Sequence, residues 1–417
     1  MKLYIDPGTG SMLFSLAIGL VSVLWFGARK LYMKVKYLTP GRMVTDSNVL
    51  PFVIYSDDKR YWKYLEPICR EMDKREIDVV YMTASADDPA LSNPYPHIKG
   101  EYIGKGNRPY TKLNLLKATL LLTTTPGLEV YQWKRSKDVS CYIHIPHGAN
   151  AMTFIRMFGT DFYDVLLLSG QYQYDNTRKL EELRHLPKKE LVFVGVPYMD
   201  DIIARLNGTL HPKNSETTIV LAPSWGNTAI FKRFGGKIID MLLKTGYHII
   251  VRPHPQSFIS ETEMIEELKL KFPETEQLEW NTDLDNFDVL NRADILISDF
   301  SGTVFEFALA YDKPVICVDV HFDDAQYDSC WLETGNWTIN TLPRIAMILT
   351  ENNQVQLKEM IDQCLTDETY RTQRHQVCDE AWIHRGEGAV RVADYLEKKY
   401  TELTGQSLRE AGHTHED

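Results

Sequence analysis

The stretch Ile295 to Asp319, ILISDFSGTVFEFALAYDKPVICVD, limits most strongly what this chain can fold into. Ile295, Leu296 and Ile297 form an apolar run of the kind that makes a strand buried on both faces of a parallel sheet. A polar turn follows, Asp299-Phe300-Ser301-Gly302-Thr303, then a helical segment from Val304 to Ala310 and a second apolar strand, Val315 to Val318. Strand, hydroxyl-rich turn, helix and strand make the βαβ unit of an open α/β sheet, which binds ligands beyond the carboxyl ends of its strands. Ser301, Gly302 and Thr303 fall where free backbone amides and two hydroxyls meet at a helix start, a setting for phosphate. Glu306, a turn further on, is within reach of a ribose diol. The plain alternative makes Ser301 or Thr303 an N-cap and nothing more.

With 417 residues the chain is too long for one ordinary domain and predicts two. A net charge of −11 and the lack of a basic run with interleaved aromatics beyond the N-terminus exclude a nucleic-acid partner held through phosphates. Six cysteines occur without a CxxC pair, several in apolar runs, and read as buried thiols of a reducing compartment. No metal-binding spacing is present: there is no HExxH, no Walker A loop and no DxD, so neither a metal site nor a cofactor is expected.

Residues 11–28 carry no charge and as a helix would reach about 27 Å, near the thickness of a hydrocarbon core. Arg29, Lys30, Lys34 and Lys36 follow directly, which places the bulk of the chain on the cytoplasmic side. This reads as a membrane anchor, with a buried soluble helix or a monotopic hairpin as alternatives.

From Val49 strands and helices alternate. Strands are predicted at Phe52–Asp57 and Val79–Ala84, within 115–127, and at 140–148, 164–170 and 191–197; a helix is predicted over 61–74 and a loop over 87–97. Residues 206–215, with Gly208, Pro212 and Asn214, read as a linker. A second series begins at Thr218, continues through HIIVRPHP (248–255) and the 295–319 unit, and ends in helix from 357 to 403. The expected organisation is an anchor with its basic flank (1–38), two doubly wound Rossmann-like domains (48–206 and 216–356), closing helices (357–404) and a disordered tail (405–417).

Three points fall at carboxyl ends of predicted strands: His147 with Gly148 in IPHGAN, Arg252 with His254 in VRPHP, and the Asp299–Thr303 turn. Singly each has a structural explanation, such as a hydrogen-bonded loop histidine or a proline-stiffened turn. Together they supply a base near neutral pH, cations over a pyrophosphate and a phosphate-binding helix end.

These residues resemble the CDP-glycerol glycerophosphotransferases of teichoic-acid-type polymer synthesis. IPHGAN is similar to the family's Trp-His-Gly loop, GVPYMDD (195–201) to Gly-x-Pro-Arg-x-Asp, and LAPSWG (221–226) to Ala-Pro-Thr-Trp-Arg. VRPHP is similar to Arg-x-His-Pro, and ADILISDFSGTVFE (293–306) to Ala-Asp-x-Leu-Ile-Thr-Asp-Tyr-Ser-Ser-x-x-Phe-Asp. The chain departs where Pro146 stands for Trp, Tyr198 and Gly226 for arginines, and Gly302 for a second serine. The resemblance implies a GT-B fold, metal-independent transfer and work at the cytoplasmic face of the inner membrane. It makes His147 the general base and His254 with Arg252 the stabilisers of pyrophosphate and leaving group. Gly148, Asp299, Ser301, Gly302 and Thr303 fall in substrate-binding loops, and Glu306 on the ribose.

The expected partners are therefore CDP-glycerol or a related nucleotide donor, a lipid-linked or saccharide acceptor, and the membrane. The absence of a long N-terminal extension favours a primase-like or single addition over polymerisation. The rivals are a UDP-sugar transferase or epimerase of the same fold, and a catalytically silent nucleotide-binding subunit of a polysaccharide-synthesis complex.

Overall fold

Runs such as FVIY, LLL, IVLA and ILI are apolar on every residue, as in strands inside a sheet covered on both faces. A computed structural model of the protein bears this out; it describes residues 49–209, 216–319, 322–366 and 368–412, within which Val49 onward forms one unit. Two all-parallel sheets result. The first contains β1 (Leu50–Ser56), β2 (Val79–Thr83), β3 (Ile98–Tyr102), β4 (Lys117–Thr123), β5 (Asp138–His144), β6 (Val165–Leu168) and β7 (Glu190–Phe193), in the order 3-2-1-4-5-6-7. The second contains β8 (Thr218–Ala222), β9 (His248–Val251), β10 (Leu278–Trp280), β11 (Ile295–Ser298), β12 (Val315–Val318) and β13 (Ala346–Leu349), in the order 10-9-8-11-12-13. Each sheet reverses its strand order once, between β1 and β4 and between β8 and β11 (Ile295 lies beside Ile219), and such reversals open the crevices where ligands bind.

Three strands escape the sequence reading: β3 (IKGEY), an edge strand with little apolar character, three-residue β10, and β13, which follows directly on the helix Trp337–Ile345. The closing helices expected over 357–404 are three, Leu357–Thr366, Thr369–Ala381 and Gly388–Thr404. The first packs on the second sheet, through Leu357, Met360 and Ile361. The last returns to the first sheet, where Val392 and Leu396 are fully buried beside Leu65 and Leu120, each contributing roughly 1.5–3 kcal/mol. The tail expected to be disordered from 405 includes a short helix, Leu408–Gly412, whose Leu408 joins the same core. The expected linker starts inside a helix, Pro197–Gly208. Five of the six cysteines are buried thiols as expected, and Cys330 is exposed.

The GVPYMDD stretch anchors this return crossing. Gly195 has φ +91°, and a Cβ there would lie 2.5 Å from the Ile383 carbonyl oxygen. The Asp200 carboxylate accepts from the backbone amides of Gly386 (2.7 Å) and Gly388 (2.8 Å) and from the Trp382 indole (3.0 Å). Among the described residues no helix is long and apolar enough to cross a membrane; the expected anchor at 11–28 lies outside them.

Candidate active site

Loops from the carboxyl ends of both sheets meet in one cleft. From the first sheet, β1 leads into Asp58, whose carboxylate accepts from the Arg60 backbone amide (2.9 Å) and side chain (2.8 Å). That cap starts the turn and the helix Trp62–Lys74, which bring Arg60, Tyr61, Lys63 and Tyr64 to the cleft wall. β5 leads into His147 and Gly148. From the second sheet, β9 delivers Arg252 and His254, and β11 delivers Ser301, Gly302, Thr303 and Glu306. Eight of the nine residues singled out in the sequence line this cleft.

Asp299 is the exception. Its carboxylate is fully buried and accepts from the amides of Ser224 (3.0 and 3.2 Å) and Ile230 (3.1 Å). It shapes the loop after β8 that faces the turn.

Two neutral histidines line the cleft, one from each sheet. Burial pushes His147 down to about 4; nearby Glu306 opposes the shift, while Lys63 and Arg60 add to it. Its Nδ1 lies 3.4 Å from the Thr124 hydroxyl, and its ring sits 5.5 Å from that of Tyr61 and 5.3 Å from that of Tyr64. Burial likewise pushes His254 down to about 4. The Gln256 amide donates to His254 Nδ1 (3.0 Å), which fixes the neutral tautomer with its proton on Nε2. His254 is therefore a donor to anything in the cleft, whereas His147 retains a nitrogen able to take a proton.

Arg252 is held rigidly, donating to Asn281 Oδ1 and to the Asp283 carbonyl (2.7 Å). Glu306 is buried; it accepts from Tyr64 OH (3.3 Å) and from Asn286 Nδ2 (3.0 Å). Asn286 Oδ1 in turn accepts from Lys63 Nζ (2.9 Å) and Tyr198 OH (2.8 Å). The helix switches to π-type winding at Glu306, an irregularity common at functional sites. Arg60, Lys63, Tyr64 and Asn286 went unnoticed in the sequence. Only their place just past a strand end, or in an unstructured loop, could have singled them out.

Ser301 and Thr303 differ in what already occupies them. Ser301 is the N-cap, its Oγ accepting from the Thr303 amide (3.3 Å), while the Thr303 hydroxyl makes no hydrogen bond among the described residues. Ser301→Ala is expected to cost about 1 kcal/mol of stability. Thr303→Val is expected to leave the melting temperature unchanged and lower kcat about tenfold, as for a donor used only as charge develops. Melting curves and steady-state kinetics of the two variants check this; equal melting losses with unaltered kinetics would make the turn a cap alone. Among the described residues no cluster of three or more His, Cys, Asp or Glu could hold a metal ion.

Two parallel sheets whose switch-point crevices meet in one cleft, lined by cations, two neutral histidines and a hydroxyl-rich helix start, make an α/β fold of GT-B-like architecture. Residues 111–398 match the CDP-glycerol:poly(glycerophosphate) glycerophosphotransferase family, and the chain belongs to it, as a CDP-glycerol glycerophosphotransferase-like enzyme. Among solved structures it is similar to the wall teichoic acid polymerase TagF at 17% identity and a TM-score of 0.57, covering 94% of this chain and 98% of that one. It is also similar to a putative UDP-N-acetylglucosamine 2-epimerase from Listeria monocytogenes (11% identity, TM-score 0.55, 86% and 98% covered). A third is the UDP-GlcNAc 2-epimerase of Methanocaldococcus jannaschii in complex with UDP-GlcNAc and UDP (14%, 0.54, 83% and 99%). At these identities the likeness is one of fold. No curated protein sequence matches significantly.

Proposed function

We propose that the enzyme moves glycerol phosphate from CDP-glycerol to a hydroxyl of a lipid-linked or saccharide acceptor, without a metal, at the cytoplasmic face of the inner membrane. Residues 48–206 serve as the acceptor domain and 216–356 as the donor domain. The acceptor oxygen forms a bond to the phosphorus that carries glycerol, as the bond from that phosphorus to the bridging oxygen breaks and CMP leaves. The acceptor proton passes to His147. Charge growing on CMP is met by Arg252, by the His254 Nε2 proton, and by Thr303 with the helix-start amides. Glu306 holds the ribose hydroxyls. The observation that supports this reading most is the meeting of His147 with Arg252, His254 and Thr303 across one cleft, in a chain of this family.

Location at the membrane rests on the uncharged 11–28 segment and the cations behind it. The test is CMP release from CDP-glycerol by the full chain, with and without EDTA. Undiminished release in EDTA is expected; activity that disappears with chelation and returns with Mg²⁺ would overturn the metal-free route. Release of UDP from a UDP-sugar, with none of CMP, would transfer the enzyme to the epimerase-like reading.

A further inference from the structure

Behind Arg60 and Lys63 lies a second cavity, of about 350 Å³, within the range of ligand pockets. It shares Arg60, Lys63 and Leu284 with the cleft, so the two adjoin. We propose that this cavity is the acceptor subsite and that it takes a neutral saccharide unit, not a phosphate-bearing terminus. The inference rests on the transferase reading above.

Three observations carry it. First, the walls are aromatic: Trp62 and Tyr95 are partly exposed, and Tyr198 closes the floor. Such faces pack against the C–H faces of a sugar ring while their polar edges and neighbours reach its hydroxyls. Second, the charges around the cavity are already paired. Arg205 bonds Asp285 (2.7 Å), Arg60 bonds Asp58 (2.8 Å), Lys59 bonds Asp87, Arg70 bonds Asp201, and Glu66 accepts from Tyr95 OH. Paired ions offer many fixed donors and acceptors and little net field, which suits a neutral polyol and not an anion. Third, no carboxylate pairs with Lys63 among the described residues, and Lys63 lines both the cavity and the cleft. The unbalanced positive charge is thus on the boundary shared with the cleft, where a transferred phosphate would be.

The test is saturation-transfer NMR on the full chain with N,N′-diacetylchitobiose and, separately, sn-glycerol 3-phosphate, using wild type, Trp62→Leu and Tyr95→Leu. CMP binding and melting temperature are measured alongside. Wild type is expected to contact the disaccharide, and both variants to lose at least fivefold of that signal with CMP affinity kept within twofold. Should Trp62→Leu not fold, since its ring also packs edge-on against Tyr81 at 5.3 Å, the partly exposed Tyr95 variant decides alone. Disaccharide contact undiminished in a folded variant would overturn the subsite, as would binding of glycerol 3-phosphate alone that the variants weaken. The readout needs no turnover, so an absence of CMP binding in wild type would count against the donor reading and leave the subsite standing.

Discussion

His147→Ala is expected to lower kcat about 10²- to 10⁴-fold while leaving donor affinity within about twofold, the signature of a lost general base. The ring stands in the cleft between Tyr61 and Tyr64, and burial pushes it down to about 4. A group whose folded value lies below its ordinary 6.5 stays deprotonated until the pH falls well under neutrality. kcat/KM, which reports the free enzyme, is therefore expected to stay level from about pH 8 to about 5.5 and to decline toward an acid limb near 4. A limb near 6.5 would mean that water reaches the imidazole freely. An alanine variant with unchanged kcat would remove His147 from the chemistry altogether.

Lys63→Met is expected to move stability and function in opposite directions. The ammonium has only neutral partners: Asn286 Oδ1 at 2.9 Å and the rings of Tyr64 and Tyr198 at 4.8 and 4.9 Å. Burial lowers its pKa, opposed by Glu306 and Asp285 at longer range. Removing it orphans nothing, because Asn286 Oδ1 keeps the Tyr198 hydroxyl at 2.8 Å. The fold is expected to gain about 1 kcal/mol as an uncompensated charge leaves a partly buried position. Donor binding is expected to lose a charge-assisted contact of roughly 1.5–3 kcal/mol, a rise in KM of about 10- to 100-fold. Denaturant midpoints and donor KM for the one variant settle both signs. A less stable variant with unaltered KM would show that the lysine serves the fold.

The strands were legible wherever burial on both faces left uninterrupted apolar runs, and His147, Arg252, His254 and the Ser301 turn were legible because each follows such a run. Edge position hid β3, whose IKGEY buries only its first residue. The N-terminal half of the cleft was hidden for a different reason. KRYWKY reads as the solvated start of an amphipathic helix, and only the opposing sheet turns Lys63 and Tyr64 inward. Asn286 is a lone amide in a loop and carries no local signal, although it joins Lys63 and Tyr198 to Glu306. Asp299 misled through its surroundings: a carboxylate inside a hydroxyl-rich turn looks like a ligand contact, and nothing local says that it faces the loop after β8.

The return of the last long helix to the first sheet has a consequence for synthesis. Chains usually fold from the N-terminus as they emerge from the ribosome. Here the first lobe lacks Val392, Leu396, Tyr400 and Leu408 until almost the whole polypeptide has been made. Its sheet must wait with an apolar face uncovered while the second lobe, complete once the helix Thr369–Ala381 has emerged, closes around its own core. The lobe made first is finished last, and a ribosome stalled after Ala381 would release one closed half and one open one.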